Sequence, residues 1–220
     1  MHGLFPTDGS SEFRALREDV DPSRIIDVII SLGLLLFTAP LLLLVAVMIR
    51  LQDGGPVLFE HARVGRRGRT FGCLKFRSMA VDAEARLSAL FAESPQIRRE
   101  WEIDHKLQDD PRVTRIGRFL RKSSLDELPQ LWNILRGDMS LVGPRPITPA
   151  ETFRYGRYLN HYCRVRPGLT GLWQVSGRND VPYGRRVAMD VYYARSRSLG
   201  GDLMILLRTV PAVLLAKGSS

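Results

Sequence analysis

The sequence predicts an α+β domain, mostly helical, with a short β-hairpin and one kinked membrane helix near the N-terminus. Three features carry that reading. They are a continuous apolar run over 25–49, β-prone pieces punctuated by glycine and arginine over 53–79, and helix-like stretches separated by proline- and glycine-rich loops thereafter. At 220 residues the chain has room for one domain and an appendage, and its 45% hydrophobic and 25% charged residues exclude wholesale disorder and low-complexity classes. The expected organisation is an acidic segment over 1–23, a membrane helix over 24–50 and a domain over 51–220.

Arg24 and Arg50 bound the apolar run, and Asp27 is its only charge. A helix of that length reaches about 37 Å, enough for a hydrocarbon layer of about 30 Å. A cleaved signal peptide would be shorter and would end at small residues rather than at Arg50. An apolar circumference without interruption argues against a buried core helix. Pro40 removes a backbone hydrogen bond near the middle and predicts the kink, with Thr38 placed to bond a freed carbonyl. Cations flank both ends, Arg14, Arg17 and Arg24 before the run and Arg50, Arg63, Arg66, Arg67 and Arg69 after it. The positive-inside rule therefore gives no vote for opposite sides, and both a re-entrant helix and a kinked spanning helix satisfy the pattern.

Residues 53–79 read as a hairpin with a basic turn and strands at 57–59 and 70–76. Two helices separated by Pro95 follow over 80–107. The segment 112–122 holds Arg112, Arg115, Arg118, Arg121 and Lys122 without an acid, and SSLDELPQLWNILRG reads as a short helix closed by Gly137. After the DMSLVGPRP loop come a helix over 149–161 and an irregular, glycine-rich stretch, RVRPGLTGLWQVSGRN. The last segment, DLMILLRTVPAVLLAK, is too short to span and either packs on the domain or lies at a membrane surface.

Net charge is +9, and because residues 1–23 hold five acids against Arg14 and Arg17, the excess on the remainder is larger still. Such a surplus favours polyanionic partners: nucleic acid, acidic lipid or phosphorylated small molecules. Cys73 and Cys163 are far apart, which supports neither a disulfide scaffold nor a cysteine zinc site. His2, His61, His105 and His161 show no metal pairing, and the P-loop and G-x-S-x-G patterns are missing, so zinc hydrolase, P-loop ATPase and serine hydrolase chemistry fall away. Trp101, Trp132 and Trp173 are too dispersed for a stacking platform on single-stranded nucleic acid.

What remains is an adjacent carboxylate pair, Asp126 and Glu127, directly after the run of cations. With Ser124 as N-cap, Glu127 completes a capping box; with Asp126 as N-cap, Pro129 falls in the first turn, where its missing N–H costs nothing. Either way the pair could simply stabilise a helix end. Uncompensated cations beside an ionised carboxylate also describe a site for phosphate and metal. Arg145 and Arg178, held in rigid glycine and proline loops, suit a bidentate phosphate grip, and Lys75 of KFRSM is a further candidate cation.

Taken together, KFRSM (75–79), SSLDELPQLWNILRGDMSLVGPRP (123–146) and RPGLTGLWQVSGRN (166–179) resemble the bacterial sugar transferases, the monotopic polyprenyl-phosphate phosphoglycosyl transferases. The similarity runs from about Ser23 to about Ala216. It implies a small catalytic domain that transfers a sugar 1-phosphate from a UDP-sugar to undecaprenyl phosphate, releases UMP, uses magnesium, and initiates bacterial surface glycan synthesis at the cytoplasmic face of the inner membrane. On the matching positions the resemblance makes Asp126 the nucleophile, Glu127 the support for the metal, and Lys75, Arg121 and Arg145 substrate-binding cations. Asp190 of MDVYY and Asp202 match acidic positions. The family's re-entrant helix breaks at a Ser-Pro pair, where this chain has Ala39-Pro40. The expected partners are UDP-sugar, undecaprenyl phosphate and membrane lipid, without nucleic acid, and self-association is left open. The rival reading is a membrane-tethered basic nucleic-acid-binding or scaffold protein in which the carboxylate pair only caps a helix.

Overall fold

A computed structural model describes residues 22–104, 107, 110–177 and 181–214. Most of the acidic N-terminal segment, His105 and Arg178 lie outside the described residues. The apolar run forms α1 (Pro22–Asp53), which starts two residues before Arg24 and continues three past Arg50. Its buried residues are Ser23, Asp27, Ser31, Val45 and Ile49, with half-buried Leu35, Thr38 and Leu42 between them. Steps of three and four put all of these on one stripe. The other faces stay bare, with Phe37 83% and Leu36 69% exposed. Helical structure carries on through Pro40. Thr38 donates from Oγ1 to the Leu34 carbonyl at 2.6 Å. That is not the Leu36 carbonyl that Pro40 leaves without a partner, so the expected rescue of a freed carbonyl by Thr38 does not occur.

Antiparallel strands β1 (Leu58–Val64) and β2 (Thr70–Phe76) form the hairpin, in register Phe59 with Lys75, His61 with Cys73 and Arg63 with Phe71. β1 is longer than the β-prone triplet suggested, because pairing with β2 recruits Glu60 to Val64. Its basic turn carries Arg67 in the left-handed region at φ 61°. Helices α2 (Ala83–Glu93) and α3 (Pro95–Asp104) divide at Pro95 as expected and meet through the rings of Phe91 and Trp101, 6.2 Å apart. Arg112, the first cation of the 112–122 run, is buried, paired with Asp110 at 2.6 Å, and lies 4.6 Å from the Trp101 ring.

Thr114 caps α4 (Arg115–Ser123) by accepting from the Gly117 amide at 2.9 Å. Gly117 is required there, since a Cβ would come within 1.9 Å of the Ser78 carbonyl oxygen. α5 (Gln130–Arg136) ends at Gly137, left-handed at φ 89°. The stretch around RPGLT is less irregular than its glycines suggest: β3 (Ser140–Val142) and β4 (Gly168–Thr170) pair in parallel, Ser140 with Gly168 and Val142 with Thr170. The helix expected over 149–161 is divided into α6 (Thr152–Tyr155) and α7 (Leu159–Tyr162) around Gly156. α8 (Tyr183–Ser196) and α9 (Leu199–Leu214) complete the described fold. α9 buries Asp202 and Ile205 against the domain and leaves Leu203 and Leu207 exposed.

Leu131, Ile134, Met139 and Leu141 pack around Cys73, Tyr193 and Ile205, while Val45 and Ile49 of α1 pack on Phe76 and Leu120. Polar contacts tie α1 to this domain at both ends. Near its start, Arg24 donates to the Ile134 and Leu135 carbonyls that α5 leaves open, the latter at 2.8 Å. Asp27 accepts from Ser140 Oγ at 2.8 Å and from the Leu141 amide at 2.9 Å. At the other end, Asp53 is paired with Arg77.

Candidate active site

The carboxylate pair does not cap α5 in either of the ways the sequence allowed. Ser124 is left-handed at φ 57°, closes α4, and makes no side-chain cap bond. Leu125–Glu127 is a single 3₁₀ turn, and Leu128 and Pro129 are already helical before α5 begins at Gln130. Pro129 thus sits where its absent N–H costs nothing. The turn holds Asp126 only 7% exposed, with Glu127 half-buried beside it.

Lys75 serves both acids. Its Nζ donates to Glu127 Oε1 at 2.7 Å, and its charge also acts on Asp126. Burial by itself would raise the Glu127 carboxyl, but Lys75, Arg145 and Arg63 outweigh it and hold the group below the ordinary glutamate range. Asp126 responds in the opposite sense. Burial, reinforced by the neighbouring Glu127, pushes it up to about 6 in spite of Lys75 and Arg121. Desolvation therefore outweighs the cations, yet a carboxyl near 6 is still mostly ionised at neutral pH. Arg121, whose charge also acts on Asp126, is fixed by its Nε donating to Ser78 Oγ at 2.9 Å.

A pocket opens on the Glu127 side, lined by Lys75, Glu127 and Arg145 together with Arg63, Gln130 and Gln174. Arg63 donates to the Pro146 carbonyl at 3.1 Å and pairs with Glu151 at 3.5 Å, which sets its guanidinium against the loop that carries Arg145. Arg145 itself lies 6.0 Å from the Trp173 ring, and Arg186 of α8 lies 4.7 Å from the same ring. The sequence reading counted Arg63 only as a flanking cation and passed over Gln130 and Gln174. Strand alternation could have found Arg63, because residues 59, 61 and 63 share a face with 71, 73 and 75 in this register.

Of the expected site residues, the fold brings together Lys75, Arg121, Asp126, Glu127 and Arg145. Asp190 and Asp202 do not line the pocket, although the Arg145 charge acts on Asp190. Asp190 is 1% exposed and accepts from Tyr155 Oη at 2.7 Å. Asp202 accepts from Tyr193 Oη at 2.7 Å and lies 3.5 Å from Arg197, which also bonds Ser23 of α1. Both act as internal acceptors that hold α8 and α9 in place, outside the pocket lining. Among the described residues there is no group of three or more His, Cys, Asp or Glu side chains that could cage a metal ion. One carboxylate or two beside a cation-lined pocket still suits magnesium, which is commonly held by few carboxylates together with substrate phosphates.

A membrane-associated enzyme of phosphoryl-group chemistry is the class these features define: a long bare apolar helix, and a buried acid pair between cations at a pocket. The family model for bacterial sugar transferases matches residues 20–216, and the chain belongs to that family of phosphoglycosyl transferases. It is 50% identical to the exopolysaccharide production protein ExoY of Sinorhizobium fredii over 89% of this chain and 87% of that protein. It is 49% identical to the UDP-galactose-lipid carrier transferase of Erwinia amylovora over 89% of this chain but only 41% of the longer relative. With the UDP-glucose:undecaprenyl-phosphate glucose-1-phosphate transferase of Caulobacter vibrioides the identity is 42%, over 87% of this chain and 69% of the relative.

Proposed function

We propose that the protein transfers a sugar 1-phosphate from a UDP-sugar to undecaprenyl phosphate in two steps on Asp126, starting a bacterial surface glycan. The observation that carries this reading is that Lys75 bonds Glu127 and acts on Asp126, while Arg121 acts on Asp126 and Arg145 and Arg63 act on Glu127. In the first step an Asp126 carboxylate oxygen bonds to the β-phosphorus of the UDP-sugar. The bond from that phosphorus to the bridging oxygen breaks, and UMP leaves with the electron pair. In the second step a phosphate oxygen of undecaprenyl phosphate attacks the same phosphorus, and the bond to Asp126 breaks to regenerate the carboxylate. Two steps suit substrates of which one is soluble and the other confined to a leaflet.

The cations Arg63, Lys75 and Arg145 match the diphosphate in charge, and fixed guanidinium groups favour bidentate contacts. Lys75 also holds Glu127 in place. Magnesium, held with help from Glu127, would offset repulsion between the nucleophile and the diphosphate. The relatives' names support the reading, since one acts on undecaprenyl phosphate with UDP-glucose and another is a UDP-galactose-lipid carrier transferase. A scaffold that merely caps a helix would have no need of a second cation set facing a pocket.

For the membrane, the reading is a re-entrant α1 with the domain on the cytoplasmic face. Its support is that Arg24 and Asp27 near one end and Asp53 at the other all bond to one domain. The test is turnover: purified protein with undecaprenyl phosphate and a panel of UDP-sugars should release UMP, and Asp126→Asn should release none. Cysteines placed before α1 and at exposed Gln52 should both resist labelling from the periplasm. Labelling of one but not the other would contradict the re-entrant arrangement.

A further inference from the structure

Gln130 is 3% exposed, lines the pocket, and has no hydrogen-bond partner for its carboxamide within the described protein. Lining the pocket without a side-chain bond to the protein, this amide is available to a ligand there. A second pocket amide is half satisfied. Gln174 donates from Nε2 to the Leu169 carbonyl at 3.3 Å, whereas its Oε1 is buried without any donor. The remaining polar side chains of the lining are all charged: Arg63, Lys75 and Arg145 against Glu127. The pocket therefore holds a cationic part suited to phosphate and two neutral amides that phosphate alone would not satisfy. An unpaired amide oxygen needs a hydrogen, and an ionised diphosphate has none to give. A sugar hydroxyl both donates and accepts.

We propose that Gln130, with Gln174 beside it in the pocket, hydrogen-bonds the hydroxyl groups of the sugar carried on the β-phosphate. This rests on the UDP-sugar reading of the site. Position selects the sugar over the base. Gln130 follows Glu127 by three residues through a 3₁₀ turn, so the two share the pocket face directly beside the nucleophile. The phosphorus that Asp126 attacks bears the sugar, whereas uracil lies beyond the α-phosphate and ribose on the departing UMP.

The experiment measures UMP release by the detergent-solubilised full chain in wild type, Gln130→Met, Gln130→Leu and Gln174→Met, together with inhibition by UMP and thermal unfolding. Gln130→Met should lower kcat/KM for the UDP-sugar about tenfold, the worth of one good neutral hydrogen bond. Its inhibition by UMP should match wild type, and its Tm should stay close to wild type because methionine is a chain of similar size. Gln174→Met should weaken the same step. An unchanged kcat/KM in Gln130→Met would overturn the assignment. A parallel loss of UMP inhibition would hand the contact to the nucleotide and overturn it as well. A marked drop in Tm in both Gln130→Met and Gln130→Leu, accompanying the lost activity, would make Gln130 a packing residue. Should wild type release UMP from no UDP-sugar at all, the donor reading itself falls and takes this assignment with it; wild-type turnover with unaffected variants removes the glutamine assignment alone.

Discussion

Removing the one charge of the apolar run, by Asp27→Ala, should weaken the docking of α1 and disturb the active site together. Asp27 is 4% exposed and accepts from Ser140 Oγ and the Leu141 amide, both on β3. Truncation leaves those two donors buried without an acceptor, at roughly 1–3 kcal/mol each, so a total loss of about 2–6 kcal/mol follows. For a chain of this length each kcal/mol moves Tm by about 2–4 °C, which places the expected drop at about 4–24 °C. β3 leads through Gly143 and Pro144 to Arg145, so loosening it should also reduce turnover. Asp27→Asn keeps one acceptor oxygen for the Leu141 amide and should fall between wild type and the alanine variant. The assay is thermal unfolding in one detergent alongside UMP release by the same preparations. A Tm within error of wild type for Asp27→Ala would refute the claim that this carboxylate anchors the helix.

Arg121→Ala and Arg145→Ala should each lose roughly 10- to 150-fold in UMP release, the equivalent of about 1.5–3 kcal/mol for a charge-assisted hydrogen bond, while Arg115→Ala stays near wild type; equal losses at all three would indicate bulk electrostatics. Because Asp126 acts as a carboxylate and burial pushes it up to about 6, kcat/KM should fall as pH drops through that value and level off above it, and a profile flat from pH 5 to 8 would contradict this. Asp190 is raised to about 7, chiefly by burial, so the folded state binds its proton more tightly than the unfolded chain does. Its contribution to stability is therefore present below the unfolded value of about 4 and lost as pH rises through 7, and Asp190→Asn should raise Tm relative to wild type at pH 8 but not at pH 4.

Periodicity made α1 and the hairpin legible, because a long apolar run and paired β-prone pieces are local signals. The acid pair was legible through its upstream cations, yet its local geometry was not. Ser124 adopts a left-handed conformation that a serine does not advertise, and this turns Leu125–Glu127 into a 3₁₀ turn instead of the first turn of α5. β3 and β4 escaped because a parallel pair of three-residue strands has no alternation long enough to see, and its partners are far apart in sequence. Asp190 and Asp202 show the limit most clearly. Spacing cannot reveal that a carboxylate will be claimed by a tyrosine from another helix, as Tyr155 claims Asp190. Arg63 and Gln130 were hidden for the converse reason: they become pocket residues only when the hairpin, the 3₁₀ turn and the Arg145 loop converge.

The covalent step on Asp126 is tested most directly by rapid quenching of the enzyme with labelled UDP-sugar and no lipid acceptor, followed by peptide mapping. A burst of UMP of about one equivalent per site, with sugar phosphate retained on the peptide containing Asp126 and abolished in Asp126→Asn, is the expected result. UMP release that requires undecaprenyl phosphate under every condition, with no labelled peptide recovered, would contradict it and leave direct transfer between the two substrates as the mechanism.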